Sequence, residues 1–437
     1  MPIRYVVVFL FFLSLLNARQ YTLETLCKKA IETNPNIKSY SYRTSASNSY
    51  YKQSIDQYKP HFNISGQLAK QDYTLTYSQG DEKYNGLSHQ YQFTIKQPVY
   101  RPTLFYAMDD AKKRIVLARL MEEDEKAKLV TQILQNTFEL IRLKKNIRIL
   151  TQKSKLLEKA YINLEEKHTL KLASKADLYQ SLSMLKQSHS DLAIAKQTYH
   201  QVLFNLRMLT KTKNVEKYLA YLDFNMNAVK KAFGKLNLAS LKAQYIHNTR
   251  VKLEEQTAKI AEGQIAMRNS ERYPQIDAVL SYGDSGGTID TTTRQKDSRA
   301  MLTLNFPIYQ GGYVSDRVEE AHFLALSAKS SAEDILMNIK ISLEKSIQDI
   351  RSGIESFNAD TVAVQASKKY FDATVTSYKN GMGSLTDAYL AEADYHDYRL
   401  RRVNTESHIF SALAEIYYYS GIANFKYIKK LQKKYLK

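Results

Sequence analysis

The sequence predicts an α+β membrane protein in which strand pairs alternate with very long helices, and three observations carry that prediction. Gly and Pro are scarce, 14 and 7 of 437 residues, which suits uninterrupted helices better than several globular units. Apolar residues recur with a period of two over two short segments, then with a period of 3.5 over the long segments that follow. The whole arrangement occurs twice along the chain, as a repeat of long period.

The N-terminus comes first. Tyr5 to Leu16 is an apolar run of 12 residues after the basic Arg4. A membrane-spanning helix needs about 20 apolar residues, so this run reads as a signal peptide over residues 1–18, cleaved after Ala18. Cys27, the single cysteine, lies among polar neighbours unlike a lipoprotein cysteine, and one thiol excludes both a disulfide framework and a Cys-rich zinc site. No later run of 18 apolar residues appears. Contact with a membrane therefore falls to strands.

The duplication is anchored by three landmarks in order. Pro60 is answered by Pro274, Pro98 by Pro307 and Asp177 by Asp387, at offsets of 214, 209 and 210 residues. This predicts a first structural repeat over 19–230, a second over 231–425 and a basic tail over 426–437. Within hairpin 61–97, Phe62, Ile64 and Leu68 alternate with Asn63, Ser65 and Gln67, and Tyr91, Phe93 and Ile95 with Gln92, Thr94 and Lys96. Hairpin 275–306 repeats the pattern with Ile276, Ala278, Leu280 and Tyr282, then Leu302, Leu304 and Phe306. Four half-buried strands follow. After each hairpin the period becomes 3.5: Leu129, Ile133, Leu140, Leu143, Ile147, Leu150, Leu157, Tyr161 and Leu164 fill nine of eleven seam positions. Leu336, Leu343, Ile347, Ile350, Ile354, Phe357, Val364, Phe371, Val375 and Tyr378 fill ten of thirteen. Such heptads mean coiled-coil packing. Between Thr103 and Glu166 there is neither Gly nor Pro, room for one helix of about 95 Å.

Four strands cannot close a barrel, and an open edge in lipid leaves backbone groups unpaired. Closure demands several chains, and three give an even-numbered barrel of twelve strands. The expected architecture is a homotrimeric twelve-strand β-barrel, four strands per chain, continued by a long α-helical coiled-coil barrel.

Several motifs resemble the TolC-type outer-membrane channels of efflux and type I secretion. Phe306-Pro307-Ile308-Tyr309-Gln310-Gly311-Gly312 resembles the family's second strand-to-helix junction, and Gln97-Pro98-Val99-Tyr100 its weaker first counterpart. Asn34-Pro35-Asn36-Ile37 resembles its early helical motif, and Tyr378, Gly381, Ser384 and Asp387 its periplasmic turn. The resemblance implies a passive homotrimeric duct in outer-membrane lipid. It also implies docking by the periplasmic tips to a membrane-fusion adaptor and to an inner-membrane transporter of ABC or RND type, with no nucleic acid and no cofactor. The alternative is an exported coiled-coil surface or stalk protein. The paired hairpins argue against it.

The same resemblance assigns roles at the tips. Asp387 and Asp177 stand where the family has an acidic ring at the entrance, a focused field that favours cations. The other reading of both is stabilisation of a helix N-terminus. Tyr378 stands at the gate, although it is also a seam residue. Gly381, Gly383, Ser384 and Ser174 form the turns that meet the adaptor, with Gly383 where members of the family carry a gate arginine. Lys171 stands where the second repeat has Gly381, which leaves room for a different turn geometry. Pro98, Pro307, Gly311 and Gly312 mark the strand-helix junctions. Tyr73, Tyr77, Tyr91, Phe93, Tyr282 and Tyr309 suit aromatic girdles. Gly283-Asp284-Ser285-Gly286-Gly287 repeats the string around a serine-protease nucleophile, but a chain of heptads offers no His and carboxylate to activate it, and hairpin-tip residues explain it better. The nine His show no metal-ligand spacing. No motif above accounts for the formal charge of +19. Six Lys in 426–437 read as a solvated basic tail.

Overall fold

A computed structural model of the chain describes residues 21–234, 243–287, 294–421 and 425–436. The signal segment 1–18 and the tip residues 288–293 lie outside them. Two units emerge, and both draw on both repeats. One comprises 1–40, 121–252 and 334–437; the other comprises 41–120 and 253–333. The sequence repeats are therefore not the spatial units.

The first unit is helical. Helix α1 (Leu23–Thr33) starts at a capping box in which Thr22 and Thr25 satisfy each other's backbone donors, and Leu23, Leu26, Cys27 and Ala30 form its buried stripe. Helix α2 (Pro35–Asp56) follows immediately. The heptads become α3 (Pro102–Thr169) and α8 (Tyr313–Lys379), each returned by a shorter partner, α4 (Lys175–Thr210) and α9 (Leu385–Tyr419). None of the seam residues named above is exposed. The short helices α5 (Glu216–Leu219), α6 (Met226–Gly234) and α10 (Phe425–Tyr435) complete a small-helix layer with α1. The core is centred on Phe410, whose ring lies 5.4 Å from Phe138 and 4.5 Å from Phe224, with Ile133, Leu206, Ile350 and Ile409 fully enclosed around them.

The expected solvated tail is instead part of this core. Ile428 and Leu431 of α10 are fully buried, Leu23 N donates to Gln432 Oε1 at 2.9 Å and Asn225 N donates to Tyr435 O at 2.9 Å. Lysine spacing drew the segment as polar, whereas the apolar residues at i, i+3 and i+7 make it amphipathic.

The second unit holds the sheet, in the order β1 (His61–Tyr77), β2 (Gly80–Tyr100), β3 (Gln275–Gly287), β4 (Gln295–Asn305), all antiparallel. It also holds the adjoining parts of α2, α3, α8 and of α7 (Thr249–Asn269). The register aligns Phe62–Ile95–Leu280–Ala300 and Ile64–Phe93–Tyr282–Ser298, with Leu302 and Leu304 opposite Ala278 and Ile276. The other face carries Asn63, Ser65, Thr94, Gln92 and Ser281. Apart from Ser298, these rows make one face apolar, until Asp284 and Lys296 enter it beside Tyr91. The predicted half-burial holds for β3 but not for β1 and β4 within one chain, where Phe62, Ile64 and Leu302 are 69%, 77% and 75% exposed. Alternation reports that the two faces differ, and not which solvent covers them.

Two boundaries move. β2 continues past Pro98 to Tyr100, because a bulge between them absorbs the missing N–H. All five residues of Gly283–Gly287 lie inside β3, where Asp284 pairs with Arg294 at 2.6 Å and a Cβ at Gly287 would stand 2.6 Å from Leu87 O. That string is strand, and its last glycine is set by close backbone approach.

Two outcomes are expected. Truncating Phe410 to Ala should cost about 3–5 kcal/mol, read as a lower thermal midpoint. Cys27 is fully buried and burial pushes its thiol up to about 12, so a maleimide at pH 8 should label it only after unfolding.

Candidate functional site

The candidate site is the pair of helix tips in the first unit, where α3 turns into α4 and α8 into α9. At the first tip Leu172 N donates to Lys167 O (2.7 Å) and Lys171 N to His168 O (2.9 Å), with Lys171 left-handed at φ 58°. At the second, Met382 N donates to Ser377 O (2.9 Å) and Gly381 N to Tyr378 O (3.0 Å), with Gly381 at φ 74°. Both are Schellman turns. Lys171 therefore adopts the geometry of its glycine counterpart, at a cost of about 1–2 kcal/mol, and the two turns do not differ.

Each following helix is capped by a serine. Ser174 Oγ accepts from Asp177 N (3.0 Å) and donates to Asp177 Oδ2 (2.7 Å); Ser384 Oγ accepts from Thr386 N (3.0 Å) and Asp387 N (3.4 Å). Both aspartates occupy the first helical turn, where a carboxylate meets the positive end of the helix dipole. Asp387 is also exposed. Gly383 allows no side chain without displacement, since a Cβ would lie 3.3 Å from Ser377 Cβ.

The two tips are held side by side. Lys167 Nζ lies 5.3 Å above the Tyr378 ring, Asn163 Nδ2 donates to Tyr389 OH (2.5 Å), and Lys153 Nζ bonds both Asp397 oxygens (2.6 and 2.7 Å). Leu157, Leu185 and Ala393 form a small core beneath. The pairing of Tyr378 with Lys167 was not legible in one repeat, because its partner comes from the other. One turn apart on α9, burial raises the Glu392 carboxyl against the pull of Lys368 and Lys159, and lowers His396 to about 4, aided by Arg399 and Lys153.

At the second strand-helix junction, in the other unit, Gly311 and Gly312 are both left-handed (φ 60° and 88°) and let the chain turn from β4 into α8. Ile308 and Tyr309 after Pro307 are 85% and 86% exposed. At the first junction Arg101, just before α3, clasps Asp277 of β3 through two hydrogen bonds of 2.9 and 2.6 Å. The two junctions belong to one unit and the two tips to the other.

One pair of residues escaped the sequence reading in part. Asn34 Nδ2 donates to Leu209 O (3.1 Å) at the end of α4 while Oδ1 accepts from Asn36 N (2.8 Å) at the start of α2. Asn248 does the same in the second repeat: Nδ2 donates to Tyr418 O (2.8 Å) and Tyr419 O (3.1 Å), and Oδ1 accepts from Arg250 N (2.8 Å). The offset of 214 residues that joins Pro60 to Pro274 also joins Asn34 to Asn248. It was the available signal.

Among the described residues no helix is long and apolar enough to cross a membrane, and no group of three or more His, Cys, Asp or Glu is placed to hold a metal.

A four-stranded sheet with one mainly apolar face, together with two capped helical hairpins, is an architecture similar to that of known outer-membrane channels. Residues 247–421 match the family described as outer membrane efflux protein. The outer membrane protein TolC of Escherichia coli (strain K12) is 23% identical over 248 residues, and that of Salmonella enteritidis 25% over 224, covering 52% and 49% of this chain. Those alignments span 48% and 43% of the two relatives, about half their length. Among solved structures, VceC of Vibrio cholerae superposes with a TM-score of 0.75 at 14% identity, covering 91% of this chain and 96% of its own. The CmeC outer membrane channel of Campylobacter jejuni gives 0.78 at 12%, covering 94% and 89%. Each of these relatives and neighbours is described as an outer-membrane protein, and CmeC as an outer-membrane channel.

Three measurements test the site. Lys171→Gly should raise stability by about 0.5–1 kcal/mol by relieving the left-handed strain, and Gly381→Lys should lower it by a similar amount; equal melting of both variants would refute the shared turn. Asn248→Asp keeps the acceptor and loses the donor, so it should destabilise by about 1–3 kcal/mol. His396 ordinarily titrates near 6.5 and is lowered to about 4 in the fold. The unfolded chain thus binds the extra proton, and stability falls as pH drops from about 6.5 towards 4. A His396→Gln variant should show a flatter profile over that window.

Proposed function

We propose that three copies of this chain form an export duct, a twelve-strand barrel in the outer membrane that continues as a periplasmic tube of helices. The observation that carries the reading is the sheet: one face is mainly apolar in its rows from Ile276 to Tyr282, and β1 and β4 each have an open edge. Unpaired strand edges cost several kcal/mol per backbone group in lipid, so further copies must complete the ladder. The duct passes small molecules in efflux, or an unfolded protein in type I secretion, from a membrane-fusion adaptor and an inner-membrane transporter of ABC or RND type. The tip turns around Gly381, Gly383, Ser384 and Ser174 meet the adaptor. Threefold symmetry gathers Asp387 at the entrance, with Asp177 and Tyr378 beside it, and the field of three carboxylates favours cations.

Planar-bilayer recording of the purified protein tests this. Trimeric protein should conduct, and Asp387→Ala should weaken block by multivalent cations. A trimer that stays silent, even as Asp387→Ala, would refute the duct; unchanged block would remove Asp387 from the entrance.

A further inference from the structure

The charge of +19 is concentrated in the small-helix layer. Residues 205–234 and 425–437 together carry twelve Lys or Arg against two acids. Both acids are already engaged, Glu216 with Arg207 and Asp223 with Lys145. The lysines left over face outward. Lys29 of α1, Lys211 and Lys213 of the α4–α5 connection, and Lys217 of α5 line one open depression of about 470 Å³ whose floor includes Tyr21 and Tyr218. All four are exposed, and among the described residues none is paired with a carboxylate. On α10, Lys429, Lys430, Lys433 and Lys434 are exposed because Ile428, Leu431 and Tyr435 take the buried face. Helix α1 packs against α4, α5 and α10, so one layer presents both groups.

Lys211 supplies an independent observation. It is held left-handed at φ 49°, whereas its counterpart 210 residues on, Gly421 (φ 71°), meets the same conformation without strain. Strained residues persist where the surrounding structure or function holds them, and Lys211 is one of the residues that line the depression. Every uncompensated cation named here is lysine. Arginine's rigid fork suits one bidentate partner, while lysine's compact charge on a flexible stem suits an anion of variable geometry.

We infer that this layer docks the carboxylates of the cell-wall peptidoglycan. The inference rests on the outer-membrane reading above: the unit that bears the layer holds none of the strands, which puts it in the aqueous periplasm. There the extended polymer with free carboxylates is peptidoglycan, whose stem peptides carry them.

The experiment is co-sedimentation of the full-length, detergent-solubilised protein with purified sacculi across a salt series. Wild type should pellet at low salt and be released as salt rises. It should not pellet with sacculi whose carboxylates have been amidated. Lys29→Gln/Lys211→Asn/Lys213→Gln/Lys217→Gln should reduce the bound fraction at least tenfold, and a second variant with Lys429, Lys430, Lys433 and Lys434 changed to Gln should reduce it severalfold. Equal binding to amidated sacculi, or retention by both variants, overturns the inference. So does wild type that ignores sacculi and binds anionic lipid vesicles. Circular dichroism and bilayer conductance of the same variants keep it separate from the duct: conductance with lost pelleting supports docking, and pelleting without conductance would sink only the duct.

Discussion

Two buried asparagines hold the helical unit in register. Each joins three chain segments with one side chain: its amide donors reach carbonyls left over at the end of a long helical hairpin, and its oxygen caps the helix that leads away. A helix end leaves its last carbonyls and first N–H groups without partners, and burying them unpaired is costly. Asn34 and Asn248 are 9% and 2% exposed, so water does not substitute for them. Asparagine offers two N–H donors and a carbonyl acceptor on one short, planar side chain. The return ends of α4 and α9 are fixed by these contacts, and from them the hairpins run to the tips where Ser174 and Ser384 cap the turns.

The sheet obeys an opposite rule. Its cohesion within one chain comes from ladder hydrogen bonds and polar clasps such as Arg101–Asp277, while its apolar rows remain uncovered. Burying an apolar side chain contributes about 1.5–3 kcal/mol, which this unit forgoes as a monomer. In the proposed barrel, an apolar face in lipid and a polar face towards a lumen would reconcile the strands with a chain whose overall composition is polar. Polar helices dominate the average, and the strands are a small part of the length.

Periodicity made the architecture legible. A period of two placed the four strands and a period of 3.5 placed the seams, since both follow from which residues share a face. Capping chemistry was legible in part: stabilisation of a helix N-terminus was one of two readings of Asp177 and Asp387, whereas the serines three residues before them, which cap the helices, were read only as turn residues. Contacts between repeats were not. Lys167 with Tyr378 and Lys153 with Asp397 unite residues more than 200 positions apart, and nothing local in either segment announces the partner. The amphipathic character of α10 was readable but outweighed by its six lysines, because charge density and helical face were not separated. Pro98 misled for a related reason. Its missing donor reads as the end of a strand, yet a bulge lets the ladder resume.

The divergence of the two repeats has a physical pattern. Among the described residues the left-handed non-glycine positions are Lys171 and Lys211, and 210 residues on from each stands a glycine in the same conformation, Gly381 and Gly421. At Gly421 the choice is forced, because a Cβ would come 2.7 Å from His247 O. At Gly381 nothing lies within 4 Å, so a side chain would be limited by backbone strain alone. The first repeat accepts that strain twice, each time for a lysine. A conformational preference of about 1 kcal/mol is small beside the core of such a unit, and it is surrendered only where the side chain stands at the surface: at a tip beside Lys167, and at the rim of the basic depression. The repeats have kept one backbone while exchanging ease of turning for charge.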